Sequence, residues 1–262
     1  MAAGPQPISP ERRRQTVQEI AQALQAHYQD RLLALGVYGS LARLADGPFS
    51  DIEMHCILHG EGIDQSFEWS TGPWKAEVDV CSPDVILAQA AEVDGDWSIT
   101  HGAYVNVWPL FDPQAFFPRL KETALSQPDE VFRFRMKEVI VGDLYELIGK
   151  VRNAWAIQTL SPLPGYATFL ARDTACMVGL ARRYLYHSFA TMLEEALALP
   201  DSPKGFSNVC QRVMSGRLSS SQAIVKEVNT LWDGIELWAK EKQITLTDHL
   251  DDLLHEDPLI NH

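Results

Sequence analysis

Residues 33–53, LALGVYGSLARLADGPFSDIE, decide the fold of the first half of the chain. The stretch opens with a largely apolar run of strand length up to Tyr38 and then reaches Gly39-Ser40, where the chain can turn sharply. Backbone N–H groups at such a turn bind anions, and the Ser40 hydroxyl adds a donor for a phosphate oxygen. The sequence therefore predicts a strand followed by an anion-binding turn.

Two carboxylates, Asp51 and Glu53, follow this turn. Side chains two residues apart on a strand share a face and lie roughly 7 Å apart. Oxygen ligands with this spacing suit Mg²⁺, which usually keeps phosphates and waters in its remaining positions. The alternative is an edge strand with two surface acids, since acids are mostly exposed. The preceding turn favours a site for a metal-bound nucleoside triphosphate.

A third group of charges lies in the segment Lys75-Ala76-Glu77-Val78-Asp79, where charged and apolar residues alternate as in a strand. If this strand pairs with the one that carries Glu53, Glu77 or Asp79 joins the two carboxylates. Gathered carboxylates raise one another's pKa unless a cation compensates them. The alternative is an amphipathic strand with one solvated face.

These motifs resemble the nucleotidyltransferase superfamily typified by DNA polymerase β. More narrowly, the chain resembles the kanamycin nucleotidyltransferase family of aminoglycoside 4′-nucleotidyltransferases, and the similarity runs from about Glu11 to about Lys240. The matching segments are Gly36-Val37-Tyr38-Gly39-Ser40-Leu41, Asp46-Gly47-Pro48, Ser50-Asp51-Ile52-Glu53-Met54, Ala76-Glu77-Val78, Thr100-His101-Gly102 and Gly149-Lys150.

The resemblance implies transfer of a nucleoside monophosphate from Mg²⁺-NTP, with ATP the expected donor, to the 4′-hydroxyl of an aminoglycoside such as kanamycin, tobramycin or amikacin. Pyrophosphate is released and the drug is inactivated. By matched position, Asp51 and Glu53 hold the metal and Glu146 is the general base, with Glu77 the second candidate for that role. The residues implied at the nucleotide are Gly39, Ser40, Arg43, Ser50, Lys150 and Ser188.

The same resemblance implies a homodimer with active sites at the subunit interface, where the base reaches across from the partner. The residues expected at the aminoglycoside are Glu53, Glu68, Lys75, Glu77, Asp96, His101 and Glu146. One departure concerns Gly142-Asp143, where the best-known family member has two adjacent acids. Drug contacts at this point are therefore expected to differ.

The region around Glu146 reads as a helix from Val131 to Ala156, with Ile140, Leu144, Leu147 and Val151 on one apolar face. Glu146 and Lys150 are four residues apart and therefore lie on another face. Spacing alone predicts an exposed ion pair worth about 0.2–0.5 kcal/mol to the helix. The assignment of a catalytic role to Glu146 depends on the resemblance.

The amino-acid composition indicates which kinds of ligand the protein can bind. The 262 residues carry a net charge of −13, which attracts cationic aminoglycosides and repels nucleic acid. Apart from Arg12-Arg13-Arg14, expected on a solvated face of the first helix, the sequence has no basic stripe. No apolar run approaches the roughly 18 residues of a membrane span, and residues 1–10 lack a signal-peptide pattern, so we expect a cytoplasmic protein. Four scattered cysteines predict reduced core thiols.

The periodicity changes along the chain. A helix from Pro10 to about Asp30, capped by Ser9, is followed by strands to about Phe111, with a helix from Ser82 to Glu92, and helical patterns prevail from about Pro128. The expected class is α+β: a DNA polymerase β-like mixed-sheet domain over residues 1–127, then an all-α helical-bundle domain over 128–262. The segment from Asp248 reads as an acidic tail.

Two other functions stay open at this point. A related enzyme could nucleotidylate another small molecule, such as a lincosamide, or a protein. That alternative explains the first half equally well but leaves the matches at His101, Glu146 and Lys150 without a reason. A non-catalytic nucleotide-binding module would be expected to lack at least one of Asp51, Glu53 and Glu77, and all three are present.

Overall fold

The computed structural model describes residues 4–70 and 74–247, which form two compact units. The first unit is built from the chain up to Pro128 together with Leu185–Ser188, and the second from Asp129–Tyr184 and the chain from Phe189 onward. The short return segment joins the first unit because the backbone nitrogen of Tyr186 donates to the Ser98 carbonyl at 2.7 Å. The predicted acidic tail from Asp248 lies outside the described residues.

A five-stranded mixed sheet forms the centre of the first unit, in the order β3-β4-β2-β1-β5. Strands β2 and β4 run parallel, and the other neighbouring pairs are antiparallel. Strand β1, which lies between β2 and β5, is buried along its whole length, as its apolar run predicts. The bounds are β1 Leu32–Val37, β2 Ile52–Leu58, β3 Asp64–Ser70, β4 Lys75–Cys81 and β5 Trp108–Phe111.

Helix α1, Pro10–Tyr28, begins where the sequence predicts. The Ser9 hydroxyl accepts a hydrogen bond from the Arg12 nitrogen at 3.2 Å, and Pro10 fits the first turn because its missing N–H has no helical partner there. Val17 and Ala21 of α1 pack on one face of the sheet against Leu35, Val37 and Met54.

The prediction that Arg12-Arg13-Arg14 lies on a solvated face is wrong for Arg13, whose side chain is fully buried. Its guanidinium pairs with Asp46 and also donates to the Pro48 carbonyl at 2.9 Å and the Ser50 carbonyl at 3.1 Å. Burial of a charge is tolerated here because the charge is paired and its donors are used. Arg13 thus holds the loop that leads directly into Asp51.

The other face of the sheet has an apolar end and a polar end. Ile57 and Cys81 are buried among α3, Pro83–Ala91, and α6, Phe116–Leu125. Because strand side chains alternate, the residues two and four positions earlier on β2 and β4 lie on this same face. These residues are His55, Glu53, Asp79 and Glu77. Two short helices complete the unit: α4, Trp97–Thr100, and α5, Gly102–Val105. A four-residue helix, α2, Gly39–Ala42, follows β1.

The second unit is helical throughout its described part. The predicted helix from Val131 to Ala156 is a continuous helical run of three parts: α7, Asp129–Glu138, a π-helical segment, Val139–Leu144, and α8, Tyr145–Ala156. The remaining helices are α9 Leu163–Arg182, α10 Met192–Ala198, α11 Phe206–Met214 and α12 Ser221–Glu241. Within the described residues, no helix is long and apolar enough to cross a membrane.

The apolar face of this helical run is buried. Ile140, Leu144 and Val151 are buried as predicted, together with Ile148, and Leu147 is half-buried. Residues three or four positions apart share one face of a helix, so the apolar face continues from the π-helical segment into α8. All four cysteines are buried thiols, which confirms that prediction.

Candidate active site

The turn after β1 and the first half of β2 are in direct contact. Gly39 has φ +71°, a backbone conformation that favours glycine, and the Glu53 carboxylate lies against its Cα. A Cβ built on Gly39 would come within 2.7 Å of Glu53 Cδ and closer still to Oε2. The backbone is also joined here, because the Tyr38 nitrogen donates to the Glu53 carbonyl at 2.9 Å. Ser40 is half-buried beside this contact.

Glu53 and Glu77 are register partners on the parallel strands β2 and β4, so the conditional prediction about pairing is confirmed. Asp51, half-buried, comes immediately before β2. The pKa of Glu53 is raised to about 7, chiefly by burial and then by the neighbouring charges of Asp51 and Glu77, while Arg43 and Lys75 partly oppose this. The carboxylates of Asp51, Glu53 and Glu77 therefore form a cluster whose negative charge the nearby cations do not fully compensate.

Further charged side chains lie between this cluster and the edge strand β3. Lys75 Nζ lies 3.3 Å from Glu68 Oε2 and 3.8 Å from Glu77 Oε2, and Ser66 donates to Glu77 Oε1 at 3.5 Å. Burial raises the pKa of Glu77, as do the charges of Asp79 and Glu68, and Lys75 partly offsets them. Lys75, predicted at the acceptor, thus lies between Glu77 and Glu68, which is also predicted there.

Arg43 lies at the C-terminal end of α2, and its guanidinium approaches Gly102, where a Cβ would lie 3.8 Å from Nη1. Its Nε is buried and has no hydrogen-bond partner within the described residues. A buried donor without a partner costs about 1–3 kcal/mol, which an anionic ligand would recover. Arg43 is therefore a cation close enough to Glu53 to lower the pKa of that carboxyl, and it has an unused hydrogen-bond donor.

The other predicted residues of the first unit lie in several places. The Ser50 hydroxyl accepts a hydrogen bond from the Gly47 nitrogen at 2.9 Å, so this side chain shapes the loop before Asp51. Asp96 precedes α4, with its nitrogen bound to Asp94. His101 is buried next to Trp97, and burial lowers its pKa. Ser188 is half-buried in the return segment.

Glu146 and Lys150 belong to the second unit and face a pocket there. Lys150 Nζ lies 2.6 Å from Glu146 Oε1, and this hydrogen bond raises the pKa of Lys150. Both side chains are about half exposed or more, at 48% for Lys150 and 64% for Glu146. The exposed ion pair predicted from spacing is present, and both groups are accessible to a ligand.

Sequence reasoning missed a polar network beneath the carboxylates. The Tyr38 hydroxyl donates to Asp79 Oδ2 at 2.8 Å, and its ring stacks on the buried His55 at 4.2 Å between centroids. His55 Nδ1 lies 3.6 Å from the same Asp79 oxygen, and Nε2 contacts the Ala103 carbonyl at 3.1 Å. Burial lowers the pKa of His55, which Asp79 partly opposes. The only signal in the sequence was the placement of His55 and Asp79 on the same strand faces as Glu53 and Glu77.

Mixed-sheet strands that present carboxylates beside a Gly-Ser turn define a nucleotidyltransferase domain. A solved structure with this fold, a nucleotidyltransferase-like protein from Exiguobacterium sibiricum, aligns with a TM-score of 0.54 over 92% of this chain and 81% of that one, at 12% sequence identity. That similarity concerns the fold alone.

The chain belongs to the aminoglycoside 4′-nucleotidyltransferase family. It is 37% identical over 237 residues to the "Aminoglycoside nucleotidyltransferase (4')" of Staphylococcus aureus and equally to that of a Bacillus species, covering 90% of this chain and 94% of each relative. A sequence model of the KNTase C-terminal domain matches residues 114–245. The family resemblance and the expected fold class are thereby confirmed.

Proposed function

We propose that this chain transfers a nucleoside monophosphate from Mg²⁺-ATP to the 4′-hydroxyl of an aminoglycoside antibiotic and so confers resistance. The observation that carries the proposal is the packing of Glu53 against Gly39 beside Asp51 and Glu77, in a chain 37% identical to enzymes with that name. In the reaction, the acceptor oxygen attacks the α-phosphorus, the bond to the bridging oxygen breaks, and pyrophosphate leaves.

The cluster of carboxylates around Asp51 and Glu53 fits a magnesium ion. Asp51 and Glu53 would supply oxygen ligands, and a bound cation would offset the burial and the neighbouring charges of Asp51 and Glu77 that raise the pKa of Glu53. Within the described ranges, no group of three His, Cys, Asp or Glu side chains is arranged to bind a metal ion by itself. Mg²⁺ is commonly held by one or two carboxylates together with substrate phosphates, so a two-carboxylate site is sufficient. When bound, the ion would neutralise charge on the triphosphate.

Cations and donors around the turn would position the triphosphate. Arg43 has an unused buried Nε, and Ser40 on the turn carries a hydroxyl donor. Transfer at phosphorus is catalysed largely by positioning and by compensating charge on the oxygens, which is the proposed contribution of Arg43. Lys150, in the second unit, is proposed at the phosphates from the family match alone. Ser40, Ser50 and Ser188 are the proposed hydroxyl contacts.

Glu146 is the proposed general base, which takes the proton of the 4′-hydroxyl. It is exposed, and Lys150 at 2.6 Å holds its carboxylate in place. Glu77 is the second candidate, because burial and neighbouring acids raise its pKa and so increase its affinity for a proton. The drug's ammonium groups would pair with Glu68, Glu77 and Asp96, with Lys75 and His101 as further contacts.

We also propose a homodimer in which Glu146 acts on the site of the partner subunit. Large apolar side chains are exposed along the run from α7 to α8: Phe134 at 60%, Val141 at 40% and Tyr145 at 62%. Exposed apolar side chains along one helix are typical of a protein interface. Light scattering on the purified protein tests this part, and a monomer at enzymatic concentrations would contradict it.

The activity is tested by incubating the protein with Mg²⁺-ATP and a panel of aminoglycosides and weighing the products. We expect a mass gain of one adenylate on drugs with a 4′-hydroxyl, no gain on 4′-deoxy analogues, and none with Asp51→Asn, which keeps the size of the side chain but not its charge. A lincosamide in the panel tests the alternative acceptor. Pyrophosphate release without any modified aminoglycoside would favour that alternative, and near-normal turnover by Asp51→Asn would reject the metal assignment.

A further inference from the structure

A pocket of about 220 Å³ lies within the second unit, on the side of α8 that carries Glu146. Its lining comes from the π-helical segment, α8 and α9, and consists of Asp143, Glu146, Leu147, Lys150, Phe169 and Asp173. Pockets that enclose a whole drug-sized ligand measure about 300–1,000 Å³. This pocket is therefore of a size for one ring of an oligosaccharide.

Among the charged side chains that line the pocket, one carboxylate has no ion-pair partner within the described residues. Glu146 pairs with Lys150, and Asp173 pairs with Arg172 at 2.8 Å. Asp143 has no ion-pair partner among the residues that the structure describes. A ligand with an ammonium group would complete the pairing at Asp143, whereas a neutral or anionic ligand would not.

Phe169 forms the apolar wall of this pocket. It lies on α9, a helix whose side chains are mostly buried, yet it is itself 57% exposed. Burying a phenylalanine side chain contributes about 1.5–3 kcal/mol, so the exposed ring is available to stabilise a bound group. The half-buried Leu147 adds apolar surface beside it. A flat apolar wall beside a carboxylate complements a sugar ring, which presents C–H groups on its faces and polar groups at its rim.

We propose that Phe169 determines which aminoglycosides are accepted, by packing against the C–H face of one amino-sugar ring whose ammonium group pairs with Asp143. This inference rests on the proposed function, because the ring bound here carries the hydroxyl that Glu146 deprotonates. Glu146 and the ring share one pocket, so the ring's position on Phe169 sets which hydroxyl reaches the base.

The test compares Phe169→Ala, Phe169→Tyr and the control Leu237→Ala, since Leu237 of α12 is similarly exposed at 62% but does not line the pocket. For Phe169→Ala we expect the KM for the aminoglycoside to rise about five- to tenfold while the KM for Mg²⁺-ATP stays within twofold. Phe169→Tyr keeps an aromatic wall and should retain near wild-type values, as should Leu237→Ala.

A second variant separates the two contacts. Asp143→Asn should weaken a drug with an amino group on the modified ring more than a drug with a hydroxyl there, whereas Phe169→Ala should weaken both equally. A rise in the KM for Mg²⁺-ATP alone would place the ring against the nucleotide base and overturn the inference, as would equal kinetics for Phe169→Ala and Leu237→Ala. If the wild type modifies no aminoglycoside, the proposed function fails; drug titration without nucleotide then decides the inference, and equal affinity for wild type and Phe169→Ala overturns it.

Discussion

The carboxylate of Glu53 rests on the bare Cα of Gly39, so the residue that turns the chain also makes room for the residue that we propose as a metal ligand. A side chain on Gly39 would have to displace the carboxylate or shift the two strands. The φ of +71° adds backbone strain for any other residue.

Gly39→Ala is expected to abolish detectable turnover and to lower the free energy of unfolding by about 1–3 kcal/mol, because it combines strain with a clash. Gly62→Ala is the matched control, since Gly62 has φ +67° and open space around its Cα. The control should lose about 1 kcal/mol and keep its activity. Denaturant unfolding and initial rates measure both, and equal activity of the two variants would contradict the packing argument.

Glu53→Gln should stabilise the metal-free protein at alkaline pH while abolishing activity. The native carboxyl has a pKa of about 7 against 4.5 as its ordinary value, so it binds its proton more tightly in the folded state. Stability is then lost as pH rises from about 4.5 to about 7, and the amide escapes this loss. We expect a gain of about 1–2 kcal/mol at pH 8 in EDTA and none near pH 4.5.

Thermal melts at the two pH values check this prediction, with the exposed Glu61→Gln as control. Added Mg²⁺-ATP should raise the melting temperature of the wild type but not that of Glu53→Gln, because only the carboxylate can help to hold the ion. A stabilisation of Glu53→Gln that is equal at both pH values would show that its charge is not the cause.

Tyr38→Phe should cost about 1–2 kcal/mol of stability, because the stack on His55 remains but Asp79 loses its hydroxyl donor. Tyr104→Phe is the control, since Tyr104 also stacks on His55, at 5.9 Å between ring centroids, and its hydroxyl has no hydrogen bond within the described residues. That variant should stay within about 0.5 kcal/mol of wild type. Urea unfolding of both variants measures these free energies. Equal losses of stability in the two variants would mean that the hydrogen bond to Asp79 contributes little.

Arg13→Met should cost about 3–5 kcal/mol, because it leaves the nearly buried Asp46 without its partner. Arg14→Met, its exposed neighbour, should be nearly neutral. Arg13→Lys keeps the charge but not the planar donors that bind two carbonyls, so it should fold yet need more Mg²⁺ for half-maximal rate. An unchanged magnesium requirement in Arg13→Lys would show that the loop before Asp51 does not depend on this contact.

Local patterns predicted much of the first unit. The apolar run of β1, the Ser9 cap and the alternation in β2 and β4 each depend on neighbouring residues, and all three are present. The alignment of Glu53 with Glu77 depends on strand pairing across more than 20 residues of sequence, so the sequence supported it only as a condition. The return of Leu185–Ser188 to the first unit had no local signal.

The burial of Arg13 has a signal in the sequence. Three consecutive helical residues point about 100° apart, so Arg12, Arg13 and Arg14 cannot share one face. Arg13 stands four residues before Val17, in register with the apolar stripe of α1, and that spacing indicates the core side. The π-helical segment is a different case: three β-branched residues followed by Gly142 lower the helix propensity there, but this composition does not predict a π turn in particular.

The buried thiols of this chain have a practical consequence. Burial raises the pKa of Cys56, Cys81 and Cys210 to about 12, and Cys176 is also enclosed. Alkylating reagents attack thiolates, so these side chains should react very slowly at neutral pH. A cysteine engineered on the surface would then take up a maleimide dye or spin label selectively, without prior removal of the native ones. Fluorescence or spin–spin distance measurements could follow the two units, and any second subunit, during turnover.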